Sequence, residues 1–126
     1  ATYHRIDVAL DPFPYGGGTT SLDGLWMGVP LVTLRGQTAV GRGGVSILSH
    51  LGLRELIAAT PAEAMAVARR LAEDLPRLVA LRTGMRDRMR QSPLLDGPGF
   101  ARDLESAFGR MVQEAHGGPA ISLARD

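Results

Sequence analysis

DPFPYGGGTTSLDGLWMGVP, residues 11–30, is the most telling stretch of this 126-residue chain. Pro12 and Pro14, followed by the run Gly16-Gly17-Gly18, force a loop. Thr19 to Met27 then reads as a helix with Leu22, Leu25 and Trp26 on one side, and Trp26 is assigned to the core. Gly28 past its end and Pro30 behind it are the usual order of stop signals. Upstream, Ile6 to Leu10 is a short apolar run broken by Asp7, the pattern of a buried strand. Asp7 itself reads as a satisfied buried carboxylate or a strand-end residue. Downstream, Leu31 to Leu34 is a second strand. Strand, loop, helix and strand within about thirty residues make a βαβ unit. Such a unit predicts a parallel α/β sheet, with its ligand site at the carboxyl ends of the strands.

A glycine-rich turn after a strand, opening a helix, suits an anion. Glycine lets the backbone approach closely, and the first helical amides are unpaired at the positive end of the dipole. Thr19 and Thr20 add hydroxyl donors there. Asp23 stands four residues after Thr19, one helical turn on, where a carboxylate can bridge the vicinal hydroxyls of a ribose. Phosphate donors and a ribose acceptor one turn apart describe a nucleotide site. The same residues also read as a tight turn with Thr19 as a simple helix cap, and at this level both readings stand. There is no GxxxxGK[ST] and no GxGxxG of the dinucleotide kind, so P-loop and NAD chemistry are not indicated.

The remainder extends the α/β pattern. Residues 35–44 form a second glycine-rich loop, Val45 to Leu51 a helix closed by Gly52, and Leu56 to Ala59 a third short strand. Thr60-Pro61-Ala62-Glu63 predicts a capping box, opening a helix with Met65, Ala68 and Leu71 inside. Pro76 begins another helix, with Leu78, Leu81, Met85 and Met89 on one face, and Ser92-Pro93 breaks it. The last helix runs from about Phe100 to His116 with a stripe of Phe100, Leu104, Phe108 and Met111. Residues 117–126 are expected to form a loose tail. The domain is therefore placed at 1–116, with its upstream part missing.

Composition narrows the function classes. Fourteen basic residues, all arginine, balance 13 acidic ones, which gives no drive towards nucleic acid or an anionic membrane. Arg82, Arg86 and Arg90 form a basic stripe without interleaved aromatics, read as a solvated face or a domain contact. The absence of cysteine excludes disulfides and thiolate chemistry and fits a reducing compartment, so a cytoplasmic location is expected. No run approaches the roughly 20 apolar residues of a membrane span. His4, His50 and His116 lack ligand spacing, so no metal is expected, and His50 reads as a capping or packing residue near a helix end.

The words DPFPYGGGTTSLDGLWMGVPLVTL, GQTAVGRGGVSILSHLGLRELIA and SPLLDGPGFARDLESAF keep their order and spacing, and they resemble the C-terminal part of the O-GlcNAc transferase family. This is glycosyltransferase family 41, including its bacterial and SPINDLY-type members. The resemblance covers nearly everything from Asp7 to His116. It implies a GT-B architecture, of which this chain is part of the Rossmann-like C-terminal domain, and tetratricopeptide repeats upstream. It implies that Gly17, Gly18, Thr19 and Thr20 hold the diphosphate through amides and hydroxyls and that Asp23 holds the ribose. Arg42 falls where relatives often carry arginine and is expected to order the site, against the alternative of a structural ion pair. The chain departs from the family pattern at Gly16, often asparagine, and at Gly18, threonine or histidine in relatives. Position 23 is glutamate in many bacterial relatives and aspartate in animal-type ones.

The function implied is that of the donor-nucleotide part of an inverting protein O-glycosyltransferase, with UDP-GlcNAc the leading donor and no cofactor or metal. The acceptor, a Ser or Thr hydroxyl of a protein, would be bound by domains outside this chain, and no catalytic residue is placed within it. The isolated chain is expected to be inactive. Two other readings remain open: a non-catalytic truncated relative serving as a binding or assembly module, and a GT-B transferase using GDP-fucose or a non-protein acceptor. A sheet edge left open by missing strands would favour homo-oligomers.

Overall fold

The βαβ unit forms. β1 (Ala9–Leu10), α1 (Thr19–Trp26) and β2 (Leu31–Leu34) follow in order in a computed structural model that describes residues 2–116. The tail expected at 117–126 lies outside the described residues. β1 is shorter than the apolar run Ile6 to Leu10 suggested, and a 3-10 turn over Thr2–Arg5 precedes it. Its ladder to β2 begins at the bond from Ala9 N to Pro30 O, 2.9 Å. Asp7 is neither buried nor at the strand end: its side chain is 77% exposed, with a carboxylate oxygen 3.9 Å from Arg82. β2 is central. It pairs in parallel with β1, Ala9 beside Leu31, and with β3 (Ile57–Ala58), Thr33 beside Ile57.

Helices cover this small sheet. α2 (Gly43–His50) starts two residues before the expected Val45, after a 3-10 turn over Ala39–Arg42. His50, read as a capping or packing residue, closes α2 with its Nδ1 2.8 Å from Ser46 O, one turn back. α3 (Pro61–Glu73) is capped by Thr60, whose Oγ1 accepts from Glu63 N at 3.2 Å. The Glu63 carboxylate accepts from Ala59 N at 2.7 Å, one residue before the amide used in the standard box. The inner face of α3 is Ala64, Val67, Ala68 and Leu71, whereas Met65 is 73% exposed. Six positions from Leu71, Met65 lies about 120° round the helix.

α4 (Leu75–Arg90) buries Leu78, Leu81, Met85 and Met89 as the periodicity predicts. With Leu25, Val32, Leu48 and Leu53 they form the core, and Trp26 packs against it partly buried. α4 approaches α1 closely at Gly28, where a Cβ would sit 2.7 Å from Arg82 O and φ is +84°. The arginine stripe of α4 is partly a solvated face, with Arg86 and Arg90 exposed, but its guanidinium groups also contact residues of this chain. Arg82 donates to Ile6 O (2.5 Å) and Arg86 to Trp26 O (3.1 Å). The guanidinium groups of Arg86 and Arg90 lie 5.2 and 5.4 Å from the Trp26 ring centre. Arg88, on another side, donates to Leu51 O (3.0 Å) at the end of α2. These contacts place positive charge at the carboxyl ends of α1 and α2, where it suits the dipole.

α5 (Gly97–His116) begins three residues before Phe100. Its chief partner is the 3-10 turn Pro93–Leu95, and its apolar stripe stays open, from 40% exposure at Leu104 to 68% at Phe100. None of the described helices is long and apolar enough to cross a membrane. The whole is the expected α/β class, a partial Rossmann-like sheet followed by a helical region.

Candidate functional site

Both glycine-rich loops leave the carboxyl ends of neighbouring parallel strands, and they pack on each other. Gly16 N donates to Val40 O (3.1 Å). A Cβ on Gly41 would lie 3.0 Å from Pro14 O, and one on Gly43 3.5 Å from Gly17 O. This contact brings the start of α2 beside the start of α1. Two helix dipoles therefore present their positive ends on one side of the sheet.

The caps separate these two helices from the others. Thr60, Asp74 and Asp96 each accept a backbone amide in the first turn of α3, α4 and α5. At α1 the capping position is Gly18, and at α2 it is Arg42; neither makes a side-chain capping bond. Neither helix carries an acidic residue in its first turn. The amides of Gly18, Thr19 and Thr20 precede the first helical bond, Leu22 N to Gly18 O at 3.0 Å, so they have no intrahelical acceptor. Thr19 is the first residue of the helix rather than its cap.

Thr19, Thr20 and Asp23 are exposed on α1, whereas Ser21, Gly24 and Leu25 are buried. Their side chains carry no hydrogen bond or ion pair among the described residues. Arg42 is exposed as well and forms no ion pair among them, so the structural alternative finds no partner there. Gly18 has open space where a Cβ would be, so the side chain that relatives are expected to carry would fit. Gly17 differs from expectation, since its amide is already engaged, donating to Asp11 Oδ1 at 2.9 Å. No cluster of three or more His, Asp or Glu side chains among the described residues could hold a metal.

Asp11 is the residue that sequence reasoning passed over. Its Oδ1 also accepts from Ser21 Oγ (3.1 Å), and its Oδ2 from Thr33 Oγ1 (2.7 Å). A Cβ on Gly44 would overlap both Asp11 Oδ2 and Thr33 Oγ1. The available signal was a carboxylate standing right after a strand and before a glycine run. Its partners, 10 and 22 positions away, follow no local pattern.

The family model of glycosyl transferase family 41 matches residues 4–104. The chain belongs to this family. Among family 41 relatives, it is 42% identical over 123 residues to "Probable UDP-N-acetylglucosamine--peptide N-acetylglucosaminyltransferase SPINDLY" of Hordeum vulgare, covering 98% of this chain and 13% of that protein. The "UDP-N-acetylglucosamine--peptide N-acetylglucosaminyltransferase" of Caenorhabditis elegans is 34% identical over 115 residues, 91% of this chain and 10% of its own length. The fold matches a mutant of the Thermobaculum terrenum O-GlcNAc transferase with a TM-score of 0.83 and 46% identity, over 90% of this chain and 22% of that one. This family 41 chain therefore spans only a small part of the relatives it matches.

Proposed function

We propose that this chain is the donor-nucleotide-binding part of an inverting protein O-glycosyltransferase, moving a sugar from a nucleotide sugar, foremost UDP-GlcNAc, to Ser or Thr hydroxyls. The observation that carries this reading is the pair of uncapped helix starts, α1 and α2, meeting at the carboxyl ends of β1 and β2. Each offers roughly half a positive charge, and the free amides of α1 give hydrogen bonds to an anion. In this reading the diphosphate rests on the amides of Gly18, Thr19 and Thr20 and on the two threonine hydroxyls. Gly17 allows the close approach. Asp23 takes the ribose hydroxyls one turn further on, and Arg42 adds charge from the second loop.

Sugar transfer releases a nucleoside diphosphate, and negative charge grows on the β-phosphate oxygen that carried the sugar as its bond to the anomeric carbon breaks. Fixed dipoles aimed at that charge stabilise the transition state without reorganising. The names of the relatives, a UDP-N-acetylglucosamine--peptide N-acetylglucosaminyltransferase and one named as a probable such enzyme, favour this donor and acceptor class.

Ligand-observed NMR titration of the chain with UDP, UDP-GlcNAc and GDP-fucose tests the reading. Saturable binding, lost in a Thr19→Ala/Thr20→Ala/Asp23→Ala variant, is expected, with the uridine ligands preferred. A folded chain that binds none of the three, or a variant that binds as well as the parent, counts against it. Preference for GDP-fucose would reassign the donor.

A further inference from the structure

We propose that Asp11 is a positioning residue of the diphosphate site, the anchor that sets the glycine loop and the first turn of α1 in their anion-binding geometry. The inference rests on the nucleotide reading above and adds a residue to it. Asp11 leaves β1 at its carboxyl end. Its carboxylate then accepts three hydrogen bonds from three different segments: Gly17 N in the loop, Ser21 Oγ in the first turn of α1, and Thr33 Oγ1 in β2. Thr33 is 1% exposed and lies on the central strand, so it ties the carboxylate to the strand that pairs on both sides. The loop is thus fastened to the core through one side chain.

All three bonds run inward, which separates Asp11 from the groups that face a ligand. It holds the amide next to the diphosphate donors rather than offering an oxygen to the substrate. Binding Gly17 N fixes the orientation of the Gly16–Gly17 peptide, directly before the Gly18 amide, and the Ser21 bond holds the helix turn on its other side. The neighbouring glycines fit this arrangement. A Cβ on Gly17 would overlap Ser21 Oγ and lie 3.1 Å from Asp11 Oδ1, and one on Gly16 would lie 3.3 Å from Asp11 Oδ2. The glycines at 16, 17 and 44 leave the room that the carboxylate occupies.

A neutral amide can keep these contacts. In Asp11→Asn, the remaining oxygen still accepts from Gly17 and Ser21, and the new NH₂ can donate to the Thr33 hydroxyl. Asp11→Ala keeps none of them. The two variants are compared with the parent by two measurements on the full chain: UDP affinity by NMR titration, and the amide exchange rate of Gly17. Asp11→Ala is expected to weaken UDP binding by about tenfold or more and to speed Gly17 exchange by a similar factor, while Asp11→Asn stays within about threefold on both. A purely structural role would lower the melting temperature without this rescue pattern in affinity. If Asp11→Ala does not fold, Ser21→Ala replaces it and should show the same changes in smaller degree. Unchanged Gly17 exchange in the disrupting variant, or equal loss of affinity in Asp11→Ala and Asp11→Asn, overturns the proposal. A parent chain that does not bind UDP sinks the nucleotide reading and the positioning role with it; the exchange rates then decide only whether Asp11 anchors the loop.

Discussion

Gly17, Gly18 and Gly44 are chemically alike and differ in what surrounds them. A side chain at Gly44 would run into Asp11 and Thr33, two polar groups already bonded to each other, while at Gly18 it would meet nothing within 4 Å. Overpacking forces neighbours out of low-energy positions, so Gly44→Ala should lower stability by about 1–3 kcal/mol. Gly18→Ala should change it by less than about 0.5 kcal/mol. Urea unfolding of the two variants beside the parent checks both values, and equal losses would mean that the two loops do not pack around Asp11. The GGG run was legible as a loop. Which of its glycines is obligatory was not, because the answer depends on Ser21 and Asp11 folding back against Gly17.

At the scale of elements, the helix starts divide into two kinds. α3 opens on Thr60, which accepts Glu63 N, and such a cap contributes about 1 kcal/mol. Thr60→Ala should therefore destabilise the chain by about that amount in thermal or urea unfolding. Thr19 opens α1 without any capping bond, so Thr19→Ala should leave stability within about 0.5 kcal/mol of the parent. A large stability loss at Thr19 would show it to be a structural cap and weaken the case for its hydroxyl as a ligand group. The opposite ends of α1 and α2 receive arginines from α4, at Trp26 O and Leu51 O. The helices that face the candidate ligand are thus complemented at their carboxyl ends and left open at their amino ends. The stripe Arg82, Arg86 and Arg90 was visible in the sequence by its four-residue spacing. Its destination on Trp26 was not, because 60 positions separate Arg86 from Trp26 along the chain.

Over the whole molecule, burial separates the two amphipathic patterns of the C-terminal half. Met85 of α4 is fully buried in the core, and removing its side chain leaves a cavity. Met85→Ala should cost about 2–5 kcal/mol. The α5 stripe has equally regular spacing and lies open, so Phe108→Ser should change the stability of this chain by less than about 0.5 kcal/mol. Calorimetric unfolding of both variants tests the difference, and a large loss at Phe108 would show that α5 packs more closely than its exposure implies.

Local chemistry was readable from the sequence alone: the βαβ order, the stop at Gly28 and Pro30, the Thr60 cap and the buried stripe of α4. These depend on residues within a turn or two of one another, where propensity and periodicity act directly. The exposed triad Thr19, Thr20 and Asp23 was legible for the same reason, since one helical turn sets its spacing. Tertiary structure alone decided the exposure of Asp7 and Met65, the engagement of the Gly17 amide and the anchoring role open to Asp11. Each of these depends on which distant segment comes alongside, and a hydrogen bond such as Thr33 to Asp11 exists only once two strands have paired.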